Sequence, residues 1–389
     1  MEANTQTTNN YIIIDHGSNQ IKAGFPEDLI PFVMSSIAGM RRVTVGNKIM
    51  KPMPGMPMNN SIRPEVKTTL YGEEALSQTS ILRIDTTLDD RAYIKETARG
   101  LYLENFKKLN IWDETKNSIK ADNYKIVFLT SPFVNNVFID CIAKLFSSFN
   151  FNEIILLPKP ISALRGRGLN SGFIIDIGET TTDLALVKSD KIIKSQSKQI
   201  LFGGKNITEF IKEHFDDNSF FKFPSVGEIN KFKEEKLKIS LNPEEETKNF
   251  QGEKIKLEIE DSSFEFGVEL VNAGELIFKG DNNLIKVIQE LYNTCKEEDK
   301  NLFENIYLIG NGSKLKNLDE RLKLDLIKFI PNLVIINNEE NGEFPAWQGV
   351  KKIIQNENTN NIVESFKLQI DKQLKSADCA TFISNFYSE

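Results

Sequence analysis

The sequence predicts an α/β protein built as two lobes. Short runs of β-forming apolar residues alternate with amphipathic helical stretches, which is the pattern of mixed sheets flanked by helices. Two of those runs end in similar Asp-and-Gly hairpins, at 11–25 and 172–187. At 389 residues the chain also exceeds what one hydrophobic core usually supports.

Residues 1–10 are polar and read as a tail, with no apolar core for a signal peptide. The run 11–14 is a buried strand, Asp15-His16-Gly17-Ser18 is a turn, and Lys22-Ala23-Gly24-Phe25 opens a second strand. The stretch 43–70 reads as a long exposed loop, because proline recurs at 52, 54 and 57. Residues 126–130 form the next strand, 137–149 a helix and 154–157 another strand. Pro160 then sits in the first turn of a helix over 160–164. The second strand–turn–strand runs over 172–187. Helices are predicted at 205–215, 226–241 and 285–292, a charged loop with one strand at 242–262, and a strand at 306–309 that ends in Gly310-Asn311-Gly312.

Composition narrows the function classes. A formal net charge of −7 argues against nucleic acid as a direct partner. Cys141, Cys295 and Cys379 are far apart, and His16 and His214 add nothing to a cluster, so no zinc site is expected. Free thiols fit a reducing compartment, the cytoplasm or nucleus. No stretch has the ~18 consecutive apolar residues of a membrane span.

The chemistry lies in the hairpins. A glycine-containing turn aims backbone N–H groups at one point and makes a nest for anions. An Asp at the strand end suits a magnesium ion held through water, since Mg²⁺ dehydrates reluctantly. One such hairpin is also an ordinary β-turn; two, in order and facing each other, would grip a polyphosphate from both sides. The Gly-x-x-x-x-Gly-Lys-Ser/Thr pattern of P-loop enzymes is missing from the sequence.

At this point the sequence resembles the actin superfamily. Asp15 to Phe25, down to Lys22-Ala23-Gly24-Phe25, looks like the first phosphate loop of actins, and Asp176-Ile177-Gly178-Glu179-Thr180-Thr181-Thr182-Asp183 resembles the second. Ser35-Ser36-Ile37-Ala38-Gly39, Gly72-Glu73-Glu74-Ala75, Gly203-Gly204-Lys205, Gly310-Asn311-Gly312-Ser313 and Ala346-Trp347-Gln348-Gly349 resemble further landmarks in family order, over about residues 11–355.

The resemblance implies two lobes closing on Mg-ATP. The first lobe would hold 1–150 and 345–389, with 37–70 as a small inserted subdomain. The second would hold 151–344, with 203–274 as its small subdomain. Asp15 and Asp176 would serve the hydrated magnesium, and Lys22 the β- and γ-phosphates. Gly17, Ser18, Asn19, Gly178, Glu179 and Thr180 would cradle phosphate oxygens. Gly204, Gly310, Gly312 and Ser313 would pass near the nucleoside, and Glu235 with Lys236 or Lys238 would cover the base. The family's water-orienting glutamine would correspond to Ala143, leaving Asp183 to polarise water. Three functions follow from the resemblance: a filament-forming ATP-binding protein, a non-polymerising subunit of a larger complex, or a kinase or chaperone ATPase on the same core. Partners would be copies of itself or other actin-family subunits. The 43–70 loop, with Met50, Met53, Met56 and Met58, would be a protein contact.

Overall fold

The computed structural model describes residues 10–44, 65–77, 82–84, 97–115, 118–119, 124–213, 225–248, 250, 254–259, 262–280, 283–337, 344–356, 360–370 and 376–388. The tail 1–9, His214 and the part of the predicted loop that carries Met50, Met53, Met56 and Met58 lie outside the described residues.

The chain begins with β1 (Asn10–His16), β2 (Gln20–Gly24) and β3 (Phe32–Ser35), an antiparallel trio. β4 (Ala38–Thr44), β5 (Glu65–Tyr71) and β6 (Leu82–Ile84) form a small separate sheet. Positions 43–44 and 65–70, expected as loop, are therefore paired strand, with Thr44 opposite Glu65. β7 (Trp112–Asp113) and β8 (Ser118–Ile119) make a short ribbon. β9 (Tyr124–Thr130) and β10 (Glu153–Pro158) then run parallel to β1.

The second half repeats the plan. β11 (Gly172–Ile177), β12 (Thr182–Lys188) and β13 (Lys191–Ile200) form an antiparallel trio. β14 (Ile255–Ile259) and β15 (Ser262–Phe266) make a hairpin. β16 (Asn305–Ile309) and β17 (Val334–Asn337) lie parallel to β11. Finally β18 (Lys367–Gln369) pairs with β10, and β19 (Tyr387–Ser388) with β13. Two six-stranded mixed sheets result, ordered β18-β10-β9-β1-β2-β3 and β17-β16-β11-β12-β13-β19.

Central strands read as unbroken apolar runs because helices cover both faces of the sheets. Ile12, Ile13 and Ile14 are all buried, as are Ile126 to Leu129 and Ile306 to Ile309. In the second sheet alternation divides the strands: Ile174 and Ala185 join one core, and Ile175 and Leu184 the other.

Two helices cross between the sheets. Lys159–Gly166 leads from the first sheet into the second, and Pro345–Gln355 leads back. They touch through backbone: a Cβ on Gly349 would overlap the Ser162 carbonyl, and one on Gly166 would overlap the Pro345 carbonyl. Ser162 Oγ donates to Ala346 O at 2.6 Å, and Lys352 Nζ to Gly166 O at 2.5 Å. β19 adds a further link. Phe386 is buried in the first core, Ile192 N donates to Phe386 O at 2.9 Å, and Tyr387 OH donates to Pro132 O at 2.5 Å. The segment 345–389, expected within the first lobe, thus ends as a strand of the second sheet.

The helix expected over 226–241 is shorter, Val226–Lys236. A capping box opens it: Glu228 N donates to Ser225 Oγ at 3.2 Å, and Ser225 N to Glu228 Oε2 at 2.6 Å. It stops because Leu237 is extended and Lys238 bridges to Lys316, which buries Leu237 and Ile239.

The helix crossing fixes one expected outcome. Gly→Ala in an open helix interior stabilises by about 1 kcal/mol. Gly349→Ala is expected to do the opposite, costing about 1–3 kcal/mol through overpacking. Urea unfolding measures it, and an unchanged or higher midpoint would refute the close contact.

Candidate functional site

Both hairpins are folded by the same local rule. Gly17 N donates to Gln20 O, and Gly178 N to Thr181 O, each at 2.9 Å. Each turn sets the strand-end Asp opposite the residue seven positions on: Asp15 pairs with Lys22, and Asp176 with Asp183. One scaffold thus presents a cation on the first sheet and a carboxylate on the second. The tips meet across the cleft, Ser18 Oγ lying 3.1 Å from Thr180 Oγ1. Beside them Asn311 Nδ2 donates to Gln20 Oε1 at 2.9 Å.

These groups line one cavity of about 730 Å³, within the size range of small-molecule sites. At its floor Lys159 Nζ lies 2.8 Å from Asp15 Oδ1, and Lys22 Nζ 3.8 Å from Asp15 Oδ2. Burial tends to raise the Asp15 carboxyl, but Lys159 and then Lys22 outweigh it, so Asp15 titrates below the usual carboxylate range. Asp176 moves up, because burial and the Asp15 charge outweigh the pull of the lysines. Asp183 is pushed to about 6 by burial and then by Asp176. Its oxygens accept hydrogen bonds from Ser131 Oγ at 2.6 Å and Gln199 Nε2 at 2.8 Å. Burial opposes the charge on Lys159, yet Asp15, then Asp176, hold its pKa above normal. Burial, helped by the charge on Lys159, pulls His16 down to about 4, against the attraction of Asp15. Its ring sits between Tyr102 OH at 2.7 Å and Ser36 Oγ at 3.1 Å.

Of the residues singled out in the sequence, Asp15, Gly17, Ser18, Asn19 and Lys22 line the cavity from the first hairpin. Asp176, Gly178, Glu179, Thr180 and Asp183 line it from the second, and Gly204, Gly310 and Gly312 from the surrounding turns. Gly310 has φ +84°, and a Cβ there would overlap the Asp176 carboxylate. Only glycine lets the chain pass so close to the end of β11.

Three expected contacts fall elsewhere. Ser313 is buried beneath its turn, donating to Gly310 O at 2.7 Å. Glu235 faces solvent, 4.0 Å from Lys231, and Lys238 is exposed in the bridge to Lys316. The helix Val226–Lys236 instead turns Lys233 and Glu234 to the cavity. Lys233 is buried, donating to Gly204 O and Thr208 Oγ1 at 3.0 Å and lying 3.8 Å from Glu179. Burial lowers its pKa against the attraction of Glu179.

Ala143 is buried in the core and is not part of the cavity wall. The side chain reaching the carboxylates after β10 is Lys159, which the sequence reading missed. Its available signal was a charged residue directly between a buried strand and a helix-opening proline. Ser131 and Gln199 were also missed, and nothing local marks them; Gln20 and Asn311 lie inside the quoted motifs but were given no role.

The donor set fits a nucleoside polyphosphate with a hydrated divalent ion. Two strand-end carboxylates suit an ion that keeps its waters, and Lys22 and Lys159 suit phosphate charge. Among the described residues no helix is long and apolar enough to cross a membrane.

Comparison with known proteins supplies a family. The model for Actin matches residues 6–350. The chain is also similar to the Dictyostelium discoideum protein named "Putative actin-29", with 23% identity over 374 residues, covering 88% of this chain and 89% of that protein.

Two groups of the cavity wall should give opposed pH dependences. Unfolded Asp183 loses its proton near 3.8 and folded Asp183 near 6, so stability falls as pH rises through that window. Unfolded His16 gains a proton near 6.5 and folded His16 only near 4, so stability falls as pH drops through that window. Each contribution is on the order of 3 kcal/mol, and the two nearly cancel in the wild type. Asp183→Asn is expected to be more stable than wild type at neutral pH, with the advantage gone by pH ~4. Urea denaturation across this range checks it; equal stability at neutral pH would exclude a strained carboxylate.

Proposed function

The chain belongs to the actin family, and from that premise we propose that it binds ATP with a magnesium ion in the cleft and assembles with copies of itself under nucleotide control. Its α/β fold, two mixed sheets with flanking helices, is the family's. Proteins of this family bind a nucleotide with a divalent cation. The observation that carries the reading is the pair of matching hairpins, with Asp15, Lys22, Asp176 and Asp183 on one cavity.

In this reading Lys22 binds phosphate as a point charge, and the turns at Gly17–Asn19 and Gly178–Thr180 cradle its oxygens. Asp15 and Asp176 hold the hydrated ion, which neutralises phosphate charge when bound. Lys233, Glu234, Gly310 and Gly312 form the nucleoside wall. Asp183 polarises water: with a pKa of about 6 it is ionised at neutral pH. Both its oxygens already accept hydrogen bonds, which reduces its basicity and keeps turnover slow.

Assembly is supported by a run of exposed apolar side chains on the second lobe. Leu324, Ile327, Phe329 and Val334 are each about half exposed, from the end of one helix to the start of β17. Exposed apolar side chains close together in the chain suit an interaction surface, and a head-to-tail contact between copies gives an open filament.

High-speed sedimentation with Mg-ATP, with Mg-ADP and without nucleotide tests the proposal. Pelleting is expected with ATP. Phe329→Asp is expected to raise the concentration needed for pelleting at least about tenfold, as loss of a buried interface aromatic does, with nucleotide affinity unchanged. Protein that stays in the supernatant under all three conditions while binding ATP would overturn self-assembly and identify a subunit of a mixed complex.

A further inference from the structure

Lys159 sits at the centre of the acidic cleft floor. It follows β10 directly and opens the helix Lys159–Gly166, between Pro158 and Pro160. An ammonium group at a helix N-terminus is disfavoured by the helix dipole. What holds it there is acid: Asp15 Oδ1 at 2.8 Å, with Asp176 and Asp183 also pulling on its charge. The side chain is only 18% exposed, so a charge in this position needs those partners.

The charges on the floor are unequal. Asp15, Asp176 and Asp183 face Lys22 and Lys159. Without Lys159, three carboxylates would stand against one lysine, and a polyphosphate would enter only with metal to offset the repulsion. With Lys159, one Asp15 oxygen that a hydrated ion would use is already held by an ammonium. Lysine itself binds phosphate as a compact point charge.

We propose that Lys159 is a resident cation of the cleft, doing the charge balancing of a divalent metal, so that nucleoside polyphosphate binds with little dependence on metal. This rests on the nucleotide reading above. The ion, where present, then adds little to affinity. Charge at position 159 matters more than the shape of the side chain.

The test is calorimetric titration of ATP into wild type, Lys159→Gln and Lys159→Arg, each in excess Mg²⁺ and in EDTA. Wild type and Lys159→Arg are expected to weaken by less than about tenfold in EDTA, and Lys159→Gln by about a hundredfold, the loss typical of a charged hydrogen-bonding partner. Equal losses in wild type and Lys159→Gln would overturn the resident cation, as would a hundredfold loss in wild type alone. No binding of ATP to wild type even in Mg²⁺ would instead remove the nucleotide reading, and this inference with it. Thermal unfolding without nucleotide gives a second reading. Mg²⁺ alone should raise the Tm of Lys159→Gln, whose carboxylates are open to an ion, and leave wild type unmoved; a shift in wild type as large as in the variant would contradict the proposal. Should Lys159→Gln fail to fold, the wild-type loss of affinity in EDTA decides alone.

Discussion

Charge balance in the cleft is the constraint on which the rest of this structure depends. Three carboxylates, Asp15 and Asp183 buried and Asp176 half-buried, meet where the two sheets face each other. Burial raises the cost of each negative charge, and proximity raises it again. The fold answers with Lys22 across the first hairpin and Lys159 at the head of a helix. Asp183 receives no direct cation and relies on Ser131 and Gln199. That uneven support explains the ordering: Asp15 titrates low, Asp176 high, and Asp183 reaches about 6. An arrangement this costly in the free protein is understandable as preparation for a charged ligand.

The duplicated hairpin gives the cleft its geometry cheaply. A tight glycine turn and a fixed strand register place two side chains at each root without help from the rest of the chain. Divergence at one position then differentiates the halves. Lys22 on the first sheet and Asp183 on the second hold equivalent places in the register, so one half presents a positive charge to the cleft and the other a carboxylate.

What was legible in the sequence follows the range of the interactions. The hairpins could be read because their pairing spans only a few residues, and the central strands because burial on both faces leaves unbroken apolar runs. Lys159 offered only its place between a buried strand and a helix-opening proline, which did not reveal its partner. It reaches Asp15 because β1, β9 and β10 end together, with Asp15 beside Leu129 and Pro158 beside Thr130. Such parallel register joins segments more than a hundred residues apart and leaves no local pattern. The helix over Val226–Lys236 shows a different limit. Its existence was plain, but a charged run offers no phase; the Ser225 capping box and the exit at Leu237 turn Lys233 and Glu234 to the cavity in place of Glu235 and Lys238. Counting along the chain likewise placed Ala143 at the site, whereas its helix has a broad apolar face that packs it into the core.

The route from cleft to outer surface is short and stiff. At the crossing of the two connecting helices, Gly349 lies against the Ser162 carbonyl, which leaves little room to slide. Rotation about that contact would change the distance between the tips at Ser18 and Thr180, where an anion competes with their mutual hydrogen bond. On the second lobe, Gly310 ends β16 directly at the cleft, and Ser313 O beneath it accepts from Asn337 Nδ2 at 2.7 Å. Asn337 ends β17, whose first residue, Val334, belongs to the exposed apolar run with Phe329. One hydrogen-bonded turn and one four-residue strand therefore join the Gly310 wall of the cavity to the proposed assembly surface. Elements packed this closely move as a unit, so a ligand that repositions the Gly310 turn relative to the first lobe repositions Phe329 with it. Control of assembly by the cleft then requires no separate relay, only that rotation of the lobes changes which copies of the surface can meet.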